Sequence, residues 1–322
     1  YKVPFVFATN GRKYLKQIEQ KSGIWFLDLR DGANTPKALQ GWFSPDGLIE
    51  MLDKDIAAAN QVLQNTPFDL LRDPDGLNLR EYQIRAIEAA ENAIVEGKKT
   101  ALLSMATGTI LGMIYRFIKS NRFKRILFLV DRTALGEQAA DVFKEVKIED
   151  LMTLDEIYNI KGLDEKEIDK ETKIHIATVQ SLVKRIIYSD DDTMPSVSDY
   201  DLIVIDEAHR GYTLDKELSD DEMLYRNQED YISKYRTVIE YFDAVKVALT
   251  ATPALHTTEI FGKPVFTYSY REAVIDGYLV DHDAPHDIHT KLRDNGIEYK
   301  KGETLAIYDP NTGEVLNSDE LE

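Results

Sequence analysis

Two adjacent carboxylates, Asp206 and Glu207, follow the apolar run Leu202-Ile-Val-Ile205 and precede Ala208-His209. Four apolar residues suffice for a short buried strand, so the pair is delivered to that strand's end. At the carboxyl edge of a sheet such a pair suits a Mg²⁺–phosphate site. One carboxylate holds the hydrated cation while the other takes a proton from an attacking water.

A second constellation lies upstream. Thr100-Ala-Leu-Leu-Ser104 runs through Met105 into Ala106-Thr107-Gly108-Thr109, then directly into the helix-like Ile110-Leu-Gly-Met-Ile-Tyr-Arg-Phe117. A strand, a turn of small residues and a helix aim backbone N–H groups at a phosphate. The Gly-Lys-Thr that should close such a loop is absent. We read this as several residues missing from the string between Thr109 and Ile110; the alternative is a true deletion that leaves the loop broken.

Other side chains fall where such a site needs them. Gln83 lies ahead of the loop, and its amide matches both the donor and the acceptor of an adenine edge. Thr250 and Thr252 follow the apolar Val245–Leu249 and bring two hydroxyls toward the carboxylates. Arg132 and Thr133, after Ile126–Val130, and Thr178 and Gln180, after Lys173–Ala177, also sit at strand ends. Their charge and hydrogen bonds suit a nucleic-acid backbone.

These residues need a scaffold, and the pattern supplies one. A helix is expected over about 81–96, then strands at 100–104, 125–130, 173–178, 202–205 and 245–249. All but the first are continuous apolar runs, the mark of strands buried on both faces of a parallel sheet. The fold class is therefore α/β, with ligands beyond the strands' carboxyl ends. Ahead of it, 1–7 and 24–29 read as strands, and Ser44-Pro45 reads as the N-cap and first position of a helix. The Pro- and Asp-rich stretch 65–76 reads as a linker.

At 322 residues there is room for about two domains. No cysteine is present, which removes disulfides and thiolate chemistry and suits a reducing interior. The apolar runs are strand-sized, so no membrane span is expected. The net charge of −18 argues against a nucleic-acid coat. It leaves room for a motor that grips the backbone in a local groove. Tyr1, at the start of a strand-like run, and the polar end 317–322 read as the bounds of a fragment.

Taken in order, Gln83, Ala106–Thr109, Asp206-Glu-Ala-His209 and Thr250–Thr252 resemble the first RecA-like motor domain of superfamily 2 helicases and translocases, over about 76–264. Three further stretches are similar to the motor (R) subunit of type I restriction enzymes: Ile126–Ala139, Asp206–Gly211 and Tyr268–Val280. Val6–Gly11 with Trp25–Leu29 resembles the end of that subunit's nuclease-type domain.

The resemblance implies a domain plan. Residues 1–64 end a nuclease-type domain, 65–76 link, 77–265 form the ATP-binding motor domain, and 266–322 lead toward a second motor domain beyond the chain. It implies ATP and Mg²⁺ as cofactors, with Asp206 holding Mg²⁺ through water and Glu207 polarising the hydrolytic water. His209 would link to Thr250 and Thr252, with Gln83 on the adenine and Ala106, Thr107, Gly108 and Thr109 on phosphate. Arg132, Thr133, Thr178 and Gln180 would touch DNA. The implied activity is ATP-driven translocation of double-stranded DNA coupled to cleavage, in a prokaryotic cytoplasm. Specificity and methylation subunits are the implied partners.

Two rivals stand beside this reading: another superfamily 2 helicase or remodeller, and a non-catalytic module with a broken phosphate loop. Four features are set aside. Glu19-Gln-Lys21 has the spelling of a nuclease Glu-x-Lys but lies in a helix-like, solvent-facing run. His282, His286 and His289 lie around Pro285, which favours an extended strand over a metal-binding helix face. The aromatics of 225–242 suit helix packing, and the basic spots 122–125 and 184–185 suit a solvated surface.

Overall fold

A computed structural model of the chain describes residues 3–21, 23–30, 32, 34–105, 109–130, 133–149, 152–162, 169–188, 194–209, 228–281, 304–308 and 315–320. The chain divides into two units, 1–273 and 274–322.

The larger unit opens with an antiparallel three-stranded sheet of β1 (Phe5–Thr9), β2 (Ile24–Asp28) and β3 (Lys37–Leu39). Helix α1 (Pro45–Asp53) starts where Pro45 fixes φ and Ser44 Oγ accepts the Gly47 N–H at 3.0 Å. Helix α2 (Ile56–Asn65) is capped by Asp55, whose carboxylate accepts the Ala58 N–H at 2.9 Å. The short α3 (Asp69–Arg72) and long α4 (Glu81–Val95) follow.

Strands and helices then alternate: β4 (Thr100–Ser104), α5 (Ile110–Lys119), β5 (Ile126–Val130), α6 (Thr133–Glu145), the small pair β6 (Lys147–Glu149) and β7 (Met152–Thr153), α7 (Leu154–Ile157), β8 (Asn159–Lys161), β9 (Thr172–Thr178) and α8 (Val179–Ile187). After these come β10 (Leu202–Ile205), α9 (Gln228–Tyr241), β11 (Val245–Thr250), α10 (Leu255–Phe261), β12 (Phe266–Thr267) and α11 (Tyr270–Ile275).

Among the described residues seven strands form one parallel sheet in the order β12-β4-β11-β10-β5-β9-β8. Every residue of β5 and β10 is buried. Successive side chains point to opposite faces and feed two cores. Phe128, Val204 and Val247 join one, while Leu127, Leu129, Ile203 and Ala248 join the other. This is the expected α/β architecture, a parallel sheet flanked by helices.

Within the stretch 65–76, Leu71 is buried at 1% exposure. Leu71 and Leu79 lie against Gly112 of α5, where an added Cβ would meet the Leu79 Cδ1 at 3.0 Å. Ile24, Phe26, Leu39 and Phe43 share one apolar cluster with Leu102, Val197 and Tyr241.

The basic spot at 122–125 is likewise structural. Arg122 Nε donates to Asn60 Oδ1 at 2.7 Å, and the buried Arg125 donates to the carbonyls of Thr172 and Asp199. Tyr235 and Phe242 of the aromatic run are buried in the core. Tyr225 and the three histidines at 282, 286 and 289 lie outside the described residues.

The smaller unit contains an antiparallel pair, β13 (Thr304–Tyr308) and β14 (Val315–Glu320), with an irregularity at Ile307/Tyr308.

Candidate nucleotide and metal site

Strand β11 lies between β4 and β10, and the three run parallel. The segments after β4 and after β10 therefore leave the same edge of the sheet, one on each side of β11. Backbone hydrogen bonds fasten both to the end of that strand. Met105 N–H donates to the Thr250 carbonyl at 2.9 Å, and Ala208 N–H donates to the Leu249 carbonyl at 2.9 Å. Met105, which leads into the small-residue turn, and Ala208, which follows the carboxylate pair, are thus brought to the same strand end by strand order. Ala106, Thr107 and Gly108 themselves lie outside the described residues.

Asp206 is half-buried. Burial pushes its carboxyl up to about 6, and the adjacent Glu207 carboxylate adds to the rise. The Glu207 N–H works against them by donating to Asp206 Oδ1 at 2.9 Å. No lysine, arginine or histidine forms an ion pair with Asp206 among the described residues. A carboxylate desolvated in this way without a compensating cation has the chemistry of a ligand for a hydrated divalent ion.

Glu207 has φ of 48°, the left-handed region that costs a non-glycine residue roughly 1–2 kcal/mol. The turn it makes comes immediately after the strand ends at Ile205. His209 Nδ1 lies 2.8 Å from Thr250 Oγ1 and 3.3 Å from Glu207 Oε2. Thr250 is 1% exposed and its Oγ1 also accepts the Thr252 N–H at 3.2 Å. The expected link between the carboxylate segment and the threonine segment is present as contacts, with the exposed Thr252 contributing through its backbone.

Gln83 is buried at the start of α4, and its Oε1 accepts the Arg80 N–H at 2.9 Å. The amide so caps its own helix, and its Nε2 has no protein acceptor among the described residues. Beside it, the rings of Tyr82 and Tyr268 stack with centroids 4.1 Å apart and 2° between planes. Sequence reasoning missed this pair, although an aromatic residue adjoining Gln83 was a visible signal. Thr109 is fully buried, and its hydroxyl donates to Met105 Sδ at 3.7 Å.

The residues assigned to DNA are partly described. Thr178 Oγ1 accepts the Ser181 N–H at 3.1 Å, capping α8 while its own proton remains available. Gln180 is 6% exposed, and Thr133 is exposed at the start of α6. Both strands β5 and β9 end on the same edge as β10. Arg132 lies outside the described residues.

Residues 76–255 match the family described as type III restriction enzyme, res subunit. The chain belongs to this family. Its res-type region spans α4 through β11 and so contains every residue of the candidate site. Residues 1–52 match the second domain of the type I restriction enzyme EcoKI endonuclease subunit. The EcoKI endonuclease subunit of Escherichia coli (strain K12) is 50% identical over 322 residues, covering 98% of this chain and 27% of that protein. The type I EcoAI endonuclease subunit of Escherichia coli is 32% identical over 319 residues, covering 94% of this chain and 35% of that protein. The chain therefore spans about a third or less of these relatives. A nuclease-deletion mutant of the type ISP restriction-modification enzyme LlaGI, solved in complex with a DNA substrate mimic, aligns with 18% identity and a TM-score of 0.43. That alignment covers 63% of this chain and 18% of the other.

Proposed function

We propose that this chain is the ATP-binding first motor domain of a type I restriction enzyme R subunit, with the end of a nuclease-type domain ahead of it. ATP hydrolysis would drive translocation of double-stranded DNA before cleavage. The observation that carries this reading is the fastening of the segments after β4 and β10 to one strand end, with Asp206 desolvated and, among the described residues, paired with no cation.

In this reading Asp206 would hold Mg²⁺ through water, and the ion would supply positive charge to the triphosphate. Glu207, whose backbone is left-handed, accepts a proton from water. His209 carries that geometry to Thr250 and Thr252. Gln83 offers its amide N–H to adenine, and Ala106, Thr107, Gly108 and Thr109 border the phosphates. Arg132, Thr133, Thr178 and Gln180 hold the DNA backbone. Residues 266–322 lead toward the second motor domain, and specificity and methylation subunits are the partners in a prokaryotic cytoplasm.

The test is ATP hydrolysis by the protein at its natural length, with linear duplex DNA or RNA added. Stimulation by duplex DNA is expected. Stimulation by RNA alone would overturn the reading in favour of an RNA helicase. Absence of nucleotide binding, with the phosphate loop verified by sequencing, would favour a scaffold.

A further inference from the structure

A cleft of about 740 Å³ opens between the end of α4 and the connection from α10 to β12, lined by Asn92, Glu96, Lys98, Lys99, Thr100 and Lys263 among others. Thr100 begins β4 and Ser104 ends it. The cleft therefore lies at the amino edge of the sheet, opposite the candidate nucleotide site.

Its charge is not balanced locally. Lys98 pairs with Glu96 at 3.3 Å. Neither Lys99 nor Lys263 has an ion-pair partner among the described residues. Asp243 is the carboxylate that faces Lys99, and it is already bonded to Lys37. Lys246 spends its Nζ donors on the carbonyls of Phe242 and Ala244. Lys99 is exposed, and partial desolvation followed by the like charges of Lys37, Arg122 and Lys54 holds its ammonium below the usual lysine range. Three lysines, Lys98, Lys99 and Lys263, line this cleft with one carboxylate, Glu96, on a protein whose net charge is −18.

Helix ends explain part of this. Lys98 and Lys99 follow α4, and Lys263 follows Gly262 at the end of α10. A cation at a helix carboxyl end is favourable by roughly 0.3–1 kcal/mol. That effect accounts for each lysine singly, not for their convergence on one cleft with the neutral donors of Asn92 and Thr100.

We propose that the cleft binds phosphate groups, and that these are backbone phosphates of duplex DNA held at a contact separate from the carboxyl edge of the sheet. Lysine is a compact point charge suited to phosphate positioning without base readout. The choice of DNA rests on the proposed function; the phosphate chemistry does not.

The experiment compares the natural-length protein with its K99Q/K263Q variant. Binding of a labelled duplex is followed by anisotropy between 50 and 200 mM NaCl, without nucleotide. Each phosphate contact contributes about −0.9 to the slope of log K against log salt, so loss of two should make the slope shallower by about 1.8. The K99R/K263R variant should keep the parent slope. In a second arm, thermal unfolding in sodium phosphate is compared with NaCl at equal ionic strength.

A shallower slope supports the proposal as stated. An unchanged slope with a phosphate-specific stabilisation that the variant loses supports phosphate binding and rejects DNA as its source. An unchanged slope without that stabilisation overturns the proposal and leaves the lysines as helix-end charges. Failure of the parent protein to bind duplex at all would count against the proposed function, and the phosphate arm would still decide the cleft.

Discussion

His209 Nδ1 lies 2.8 Å from the hydroxyl of Thr250, so the segment after β10 is joined by a side chain to the end of β11. The same nitrogen is 3.3 Å from Glu207. A change in the threonine segment thus has a short path to the carboxylate. Thr250→Val removes the contact with His209 and the acceptor of the Thr252 N–H, two hydrogen bonds each worth about 1 kcal/mol net. Hydrolysis should fall roughly tenfold with nucleotide affinity little changed. His209→Ala should cost about as much, and the double variant no more than either alone. Steady-state kinetics and nucleotide titration check this. Additive losses would show that the contact does not couple the two segments.

Asp206 sits at about 6 in the folded chain against 3.8 ordinarily. Between those values the folded state keeps a proton that the unfolded state has lost, so stability falls as pH rises through the window. Asp206→Asn should be more stable than the parent at about pH 7–8, and the difference should vanish near pH 4. Urea unfolding at several pH values measures it. Stabilisation of the parent by Mg²⁺ should appear only as pH rises through about 6, because the cation needs the ionised form.

Arg116 uses all five guanidinium protons. Its Nε and Nη2 donate to Glu91 at 2.6 and 3.0 Å, Nη2 to the Leu63 carbonyl at 3.1 Å, and Nη1 to those of Thr66 and Pro67 at 3.0 Å each. It also lies over the Phe68 ring at 3.8 Å. Arg116→Ala should destabilise by about 3–5 kcal/mol, because a buried carboxylate is left alone. Combining Arg116→Met with Glu91→Leu should recover part of that loss. Denaturant unfolding distinguishes the two; equal losses would mean that the ion pair is not what matters.

The carboxylate site was legible because its strands are buried on both faces. Leu202–Ile205 and Thr100–Ser104 form over the residues expected from their apolar runs. Strands β8 and β12 are three and two residues long, too short to leave a period. The packing of 65–76 was hidden for a different reason. The carbonyls of Thr66 and Pro67 accept from Arg116, about fifty residues away, and Pro and Asp there read as a linker. Arg125 looked like a surface cation because the carbonyls that bury it come from β9 and the turn before β10. Glu207's left-handed backbone left no trace in residue type.

The phosphate loop makes a chemical prediction. Peptide mapping of the natural protein should find additional residues, Gly-Lys-Thr among them, between Thr109 and Ile110. A peptide in which Thr109 is bonded directly to Ile110 would establish a deletion and favour the scaffold reading.

The central claim is that the pair at 206 and 207 performs hydrolysis of a Mg²⁺-bound triphosphate. Glu207→Gln keeps the shape of the side chain and removes its capacity to accept a proton. In the natural-length protein with duplex DNA and Mg²⁺, this variant should bind ATP as the parent does and hydrolyse it at least about 100-fold more slowly. Hydrolysis by Glu207→Gln at the parent's rate would contradict the account.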